Sequence, residues 1–338
     1  MIIVMKAQAT KADAEELLAL IESKGLKPLF MPGEERTVLG ALGDERVLAE
    51  LNLEGHPHVD EVKPILSPYK KVSRELHPED TIVNVADSRF SPEDFVVIAG
   101  PCAVENEEQI QTVAKGLSER GAKLLRGGIF KPRTSPYSFQ GLGLDGLQMF
   151  SNAASQNGMG TVTEVTDIEE VAQLDGKVSA FQIGARNMQN FRLLKAVGQT
   201  TTPVLLKRGM SAKVDELLLA AEYIVDTGND QVILCERGIR TYETTTRNTL
   251  DLNAVAYMKQ RTHLPVIVDP SHGTGVRELV IPMSKAAVAA GADGIIVEVH
   301  PNPSVALSDA HQQLTLDQFQ ELMQGIEPFV KACGRRLA

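Results

Sequence analysis

The sequence predicts an α/β protein: a (β/α)8 TIM barrel preceded by a small α+β domain of βαββαβ order. Three observations carry this. The first part of the chain alternates short β-rich runs with two amphipathic stretches. From Phe95 onward, apolar runs of four to eight residues alternate with helical stretches, and those runs number eight. Near-continuous Val/Ile/Leu strands separated by helices mean a parallel sheet buried on both faces.

In order, the N-terminal segment reads strand (Ile2 to Met5), helix (about Ala12 to Lys24), strand (Lys27 to Met31), strand (Thr37 to Leu42), short helix (Glu45 to Leu51) and strand (Val59 to Leu66). Ala14, Leu17, Leu18 and Ile21 recur at helical spacing, and the whole follows the split βαβ, ferredoxin-like plan over 1–66. So small a sheet leaves one face needing cover, from a neighbour or another subunit. In SPYKKVSRELHPED, proline and charge replace periodicity, which marks a linker; TIVNVADSRF reads as a hairpin closing the barrel floor, and linker and hairpin together span 67–94. The barrel runs from 95 to 338 through FVVIAGPC, AKLLRGGIF, GTVTEV, AFQIGA, PVLLKRG, QVILCER, PVIVDPSH and GIIVEVH. A doubly wound open sheet would carry a glycine-rich dinucleotide loop after its first strand, and GPCAVEN is not one.

Composition narrows the function. Of 338 residues 43% are hydrophobic and 23% charged, which suits a large core and excludes extended disorder. A net charge of −10 argues against nucleic acid or anionic membrane held by bulk attraction. Cys102, Cys235 and Cys333 are odd in number and widely spaced, so a disulfide framework is not expected and a reducing cytosol fits. The N-terminus shows no signal-peptide pattern, and no apolar run reaches membrane-span length.

Polar residues concentrate at the strand ends, where a barrel of this kind builds its active site: Cys102, Arg126, Lys131, Glu164, Arg186, Lys207, Arg208, Arg237, His272 and Glu298. A two-residue period turns Arg126 inward with Leu124, Lys207 with Leu205, Arg237 with Cys235 and Glu298 with Ile296. One strand-end cation alone is read as a salt bridge or a solvated rim. Arg126, Lys131, Arg186, Lys207 and Arg237 in one mouth would repel one another, so the site must accept a polyanion such as a phosphate with a carboxylate. In KPRTS, Arg133, Thr134 and Ser135 can hold a second phosphate. Cys102, His272, Glu298 and Asp309 form a weaker constellation: the cysteine alone reads as a small hydrophobe and His272 as a phosphate ligand, whereas all four together would favour Mn, Fe, Co or Zn over Mg.

IAGPCAVE, LLRGGIFKPRTSPYSFQGLG, QIGARNMQNF, LLKRGM, ILCERGIRT, VDPSHGTG and IIVEVHPNPSVALSD together resemble the type I beta branch of 3-deoxy-D-arabino-heptulosonate 7-phosphate synthases, the first enzymes of the shikimate pathway and of aromatic amino acid biosynthesis. The leading segment resembles the ferredoxin-like regulatory extension of some members. The resemblance implies a condensation of phosphoenolpyruvate with erythrose 4-phosphate that releases phosphate. It assigns Arg126, Lys131, Arg186, Lys207 and Arg237 to phosphoenolpyruvate, Pro132, Arg133, Thr134 and Ser135 to the aldose phosphate, and Cys102, His272, Glu298 and Asp309 to a divalent metal. Lys131 is read as proton donor to the new alkoxide. Glu164 is read either as the group that orients water or as a countercharge to the cations.

The resemblance also implies a homo-oligomer, tetramer or dimer. The runner-up is 3-deoxy-D-manno-octulosonate 8-phosphate synthase, which uses arabinose 5-phosphate; its loop resembles KANRS, where this chain has Pro132 and Arg133. A non-catalytic scaffold would have lost ligands, and none is lost. Pro28, Leu29, Phe30 and Met31 offer no side-chain bond to an amino acid's ammonium or carboxylate, so inhibition by tyrosine or phenylalanine is expected to be weak or absent. His56, His58, His77 and His263 are read as surface or structural residues away from the mouth.

Overall fold

The first unit, Met1–Glu79, is organised by an antiparallel sheet whose strand order is β2-β3-β1-β4. Its elements are β1 (Ile2–Met5), α1 (Lys11–Ser23), β2 (Lys27–Pro32), β3 (Thr37–Leu42), α2 (Glu45–Glu50) and β4 (Val59–Lys63). The computed structural model describes residues 1–33, 36–63, 67–133 and 135–338, so the end of the fourth expected strand, 64–66, lies outside the described residues. Helix α1 starts where Thr10 and Asp13 cap each other: the Asp13 N–H donates to Thr10 Oγ1 at 3.3 Å and the Thr10 N–H to Asp13 Oδ2 at 2.7 Å. Its buried stripe of Ala14, Leu17 and Ile21 packs on Ile3, Met5 and Leu39. Each fully buried Leu or Ile contributes roughly 1.5–3 kcal/mol. The opposite sheet face gathers Ile2 and Leu76 with half-buried Val4, Leu29, Met31 and Val38.

The second unit, Asp80–Ala338, opens with the hairpin β5 (Val83–Val85) and β6 (Ser88–Phe90). The barrel then runs β7 (Asp94–Gly100), α3 (Glu107–Ser118), β8 (Leu124–Arg126), α4 (Leu144–Gln156), β9 (Gly160–Val165), α5 (Ile168–Leu174), β10 (Ala180–Ile183), α6 (Phe191–Gly198), β11 (Val204–Lys207) and α7 (Val214–Thr227). It continues β12 (Val232–Glu236), α8 (Leu252–Arg261), β13 (Val266–Val268), α9 (Pro270–Thr274), α10 (Arg277–Ala289), β14 (Gly294–Glu298), α11 (Leu316–Ala332) and β15 (Arg336–Leu337). Strands β7 to β14 pair in parallel in chain order, and the β14–β7 ladder closes the barrel. The terminal strand β15 adds to β7 at Asp94 and Phe95.

The barrel interior holds Leu124, Leu205, Cys235 and Ile296, the residues the two-residue period turns inward, together with Ile98, and Val83, Val85 and Phe90 of the hairpin pack into the same cluster. At the mouth, β7 and β8 approach so closely that a Cβ on Gly100, at φ +154°, would stand 2.0 Å from Arg126 O. Only glycine fits there. His263 is buried beneath the barrel with Nδ1 2.7 Å from Thr81 Oγ1, a structural role rather than a surface one.

Candidate active site

Because the side chains of a parallel barrel alternate in and out, the residue that ends each strand on the inward parity projects into the mouth. There the second unit has a cavity of about 340 Å³ lined by Arg126, Lys131, Arg186, Lys207 and Arg237, with Pro132, Arg133, Ser135, Glu164, His272 and Asp309. The five cations therefore meet at one place, although only Arg126 and Lys207 lie on strands: Arg237 directly follows β12, Arg186 sits three residues past β10 and Lys131 five residues past β8. Thr134 lies outside the described residues. Arg208 has the opposite parity to Lys207 and leaves the cavity, donating to Glu236 Oε2 at 2.8 Å and Asp251 Oδ2 at 3.0 Å.

The cations differ in how far they are already partnered. Lys207 Nζ bonds Asp269 Oδ2, and Arg186 Nη1 donates to Pro132 O at 2.6 Å, tying the KPRTS loop to the end of β10. Lys131 Nζ donates to Cys102 O at 3.0 Å. Burial opposes its charge, but the Cys102 sulfur, Glu164 and Glu298 raise its pKa above the ordinary lysine value. Arg126 Nη2 lies 3.1 Å from Glu298 Oε1, while its Nε and Nη1, and Nη1 of Arg237, are buried with no hydrogen-bond partner among the described residues. Burial lowers the Arg237 pKa. Buried guanidinium nitrogens without acceptors are costly unless an anion supplies them.

Beside these cations lies a cluster of acids and sulfur. One ligand atom each of Cys102, Glu298 and Asp309 falls within 4.8 Å of the others. His272 Nε2 is 3.5 Å from Glu298 Oε1 and 3.7 Å from Asp309 Oδ2. Helix α9 positions that ring through its N-cap, Asp269, which takes the His272 N–H on Oδ1 at 2.9 Å and the ring Nδ1–H on Oδ2 at 2.8 Å. In the neutral ring this leaves Nε2 as the lone-pair nitrogen; burial lowers the His272 pKa, against the pull of Asp269 and Glu298.

The cluster fits a divalent cation on its own chemistry. Glu298 and Asp309 each bring a carboxylate oxygen within 4.8 Å of the Cys102 sulfur, and Glu298 Oε1 is buried and makes no hydrogen bond among the described residues, although Arg126 Nη2 lies 3.1 Å away. Burial opposes ionisation of Asp309, yet His272, Arg247 and Lys131 hold its pKa down to about 2. Burial, then Glu298, pushes the Cys102 thiol up to about 12, so its thiolate needs a cation beside it. One sulfur, one imidazole and two carboxylates suit a borderline ion.

Several residues absent from the sequence reading complete the site. Burial alone would raise the Asp269 pKa, but His272 and Lys207 draw it well below the ordinary carboxylate range, making it the fixed anion between a cation and the imidazole. Gln182 Nε2 donates to Glu164 Oε2 at 3.2 Å. Glu105 fastens the loop that carries Asp309, accepting the Leu307 N–H at 2.8 Å, with His300 Nε2 3.4 Å away. Gln312, Gln313 and Arg247 also border the cluster. Asp269 was the most legible of these, since an acid between a strand and Pro270 is a helix N-cap signal.

Residues 82–331 match the DAHP synthetase I family, and residues 1–67 match the DAHP synthase ferredoxin-like domain. A phospho-2-dehydro-3-deoxyheptonate aldolase of Thermotoga maritima is 50% identical over 334 residues, which cover 99% of each chain. A crystal structure of that aldolase (DAHP synthase) from Thermotoga maritima is similar with a TM-score of 0.80 and 49% identity, covering 100% of this chain and 99% of the other. A 2-dehydro-3-deoxyphosphooctonate aldolase of Syntrophotalea carbinolica is more distant, at 33% identity over 75% of this chain and 98% of its own. With a closed barrel, a cation-lined mouth and these likenesses in agreement, the chain belongs to the DAHP synthetase I family.

Proposed function

We infer that the chain is a 3-deoxy-7-phosphoheptulonate synthase: it joins phosphoenolpyruvate, erythrose 4-phosphate and water into 3-deoxy-D-arabino-heptulosonate 7-phosphate and phosphate. The observation that carries this reading is the set of unpartnered buried nitrogens on Arg126 and Arg237, side chains that line the same cavity as His272 and Asp309. Phosphoenolpyruvate supplies the missing acceptors, with Lys131, Lys207 and Arg186 completing the charge balance. Pro132, Arg133 and Ser135, with Thr134 between them, hold the aldose phosphate.

In the reaction the enol C3 bonds to the aldehyde carbon, water adds to C2, and the C2–oxygen bond to phosphate breaks. Lys131, kept as an ammonium, hands a proton to the new alkoxide, and the two protons water gives up as C2 becomes a ketone go to the departing phosphate and back to Lys131. Glu164 orients the water, with Gln182 holding its carboxylate. The surrounding guanidinium groups stabilise charge as it moves onto the departing phosphate. Cys102, His272, Glu298 and Asp309 would hold a divalent cation, which when bound polarises the aldehyde oxygen.

The four-carbon aldose is favoured over arabinose 5-phosphate by Pro132 and Arg133 and by the higher identity to the heptonate aldolase than to the octonate enzyme. The test is phosphate release from phosphoenolpyruvate with each sugar, before and after chelation. Faster release with erythrose 4-phosphate, lost on chelation, is expected; preference for the five-carbon sugar would move the function to the octulosonate reaction.

The N-terminal unit is assigned to assembly or regulation, and the working form to a homo-oligomer in the cytosol, which sedimentation of the full chain and of a chain without 1–66 would check. Among the described residues, no helix is long and apolar enough to cross a membrane.

A further inference from the structure

Gln312 lies in the segment after Asp309, and its side chain is buried between two other groups of the site. Its amide is engaged at both ends: Nε2 donates to Glu298 Oε2 at 2.8 Å, and Oε1 accepts from Arg247 Nη1 at 2.9 Å. The first bond occupies one oxygen of Glu298. The other, Oε1, is left 3.5 Å from His272 Nε2 and 3.1 Å from Arg126 Nη2, on the side of the cluster.

The second bond acts on the cavity. Arg247 lines it, and its Nη1 is 3.4 Å from Asp309 Oδ1. Arg247 belongs to the 239–251 loop, which is fastened to α9: the Arg247 N–H donates to Thr274 O at 2.8 Å and Asn248 Nδ2 to His272 O at 2.9 Å. A neutral amide can give a hydrogen bond to a carboxylate and take one from a guanidinium at the same time. A carboxylate at this position would repel Glu298, and an apolar side chain would leave Glu298 Oε2 without its amide donor and Arg247 with Asp309 alone, among the described residues, as its side-chain partner in the site.

We propose that Gln312 is a positioning residue: it selects the Glu298 oxygen offered to the cation and, through the other end of the same amide, holds Arg247 at the cavity wall as a further anion contact for the aldose phosphate. This rests on reading Cys102, His272, Glu298 and Asp309 as cation ligands. The two ends of the amide make separable consequences. Gln312→Met removes both bonds at nearly constant volume; Arg247→Met keeps the Gln312–Glu298 bond and removes the cavity-side bond together with the Arg247 contact to Asp309 Oδ1, on a side chain exposed enough for the fold to tolerate the change.

The experiment titrates each full-length variant with cobalt(II) against a chromophoric chelator, follows the sulfur-to-cobalt absorption band, and then measures KM and kcat for erythrose 4-phosphate at saturating cobalt. Gln312→Met is expected to lose cobalt affinity about 10- to 100-fold, the range for groups that orient metal ligands, and to raise KM more than it lowers kcat. Arg247→Met is expected to raise KM without losing cobalt affinity. Unchanged cobalt affinity in Gln312→Met, or unchanged KM in Arg247→Met, overturns the inference. Should Met at 312 prevent folding, the Arg247 arm still decides the cavity-side half. Wild-type chain that takes up no cobalt, or whose band survives Cys102→Ser, removes the cation-site reading itself and this inference with it.

Discussion

At the scale of single residues, the site contains groups whose ionisation depends on a neighbour. Cys102 is the sharpest case, because burial and Glu298 keep it a thiol unless a cation sits beside it. Cys102→Ala is expected to abolish turnover and cobalt binding while leaving the circular dichroism spectrum and thermal midpoint nearly unchanged, since a buried Cys packs as a small hydrophobe. Full turnover in that variant would remove sulfur from the ligand set. The cations and ligands were legible because each ends an apolar strand, as Arg126, Lys207 and Glu298 do, or lies in the segment that follows one, and parity even separated Lys207 from Arg208. The groups that partner them were less so. Asp269, Gln182, Gln312 and Arg247 act through pairings between distant loops, and nothing in local sequence says which strand ends become neighbours across a mouth.

At the scale of elements, β10 ends in a turn whose glycine sets the position of Glu164 on β9. A Cβ on Gly184 would stand 2.0 Å from Glu164 Oε1, the free end of a side chain. Gly184 itself has an ordinary negative φ of −66°, so alanine is tolerated by the backbone there. Gly184→Ala is therefore expected to displace the carboxylate and lower kcat with little change in thermal midpoint; unchanged kcat would leave Glu164 as a countercharge only.

The floor makes a stability prediction. Asp94 begins β7 and bonds Arg336 of β15, and that bond, against the cost of burial and with help from Ser91, holds its pKa below the ordinary value. A carboxylate depressed in the folded state adds stability above its unfolded pKa of about 3.9 and loses it as pH falls through the folded value. Asp94→Asn should lower the urea midpoint at pH 7, and the difference from wild type should shrink toward pH 3. A gap that persists undiminished in acid would contradict this. In β2, the apolar run Pro28 to Met31 leads to a further expectation, that millimolar tyrosine or phenylalanine leaves the steady-state rate nearly unchanged; strong inhibition would show a binding mode those side chains do not suggest.

At the scale of the molecule, an acidic protein of net charge −10 surrounds a cavity lined by arginines and lysines. The barrel makes this possible, since its strands deliver inward-facing ends from separate parts of the chain to one rim. That architecture was readable from eight apolar runs, whereas the pairing of charges inside the rim depends on which strand ends the closed barrel makes neighbours. The central claim is that one cavity seats a polyanion and a divalent cation side by side. Its most direct measurement is anomalous diffraction from crystals grown with manganese and phosphoenolpyruvate. The expected result is a single cation peak among Cys102, His272, Glu298 and Asp309, with phosphoenolpyruvate oxygens against Arg126 Nε and Nη1 and Arg237 Nη1. A cation bound elsewhere, or phosphoenolpyruvate that leaves those nitrogens without acceptors, would contradict it.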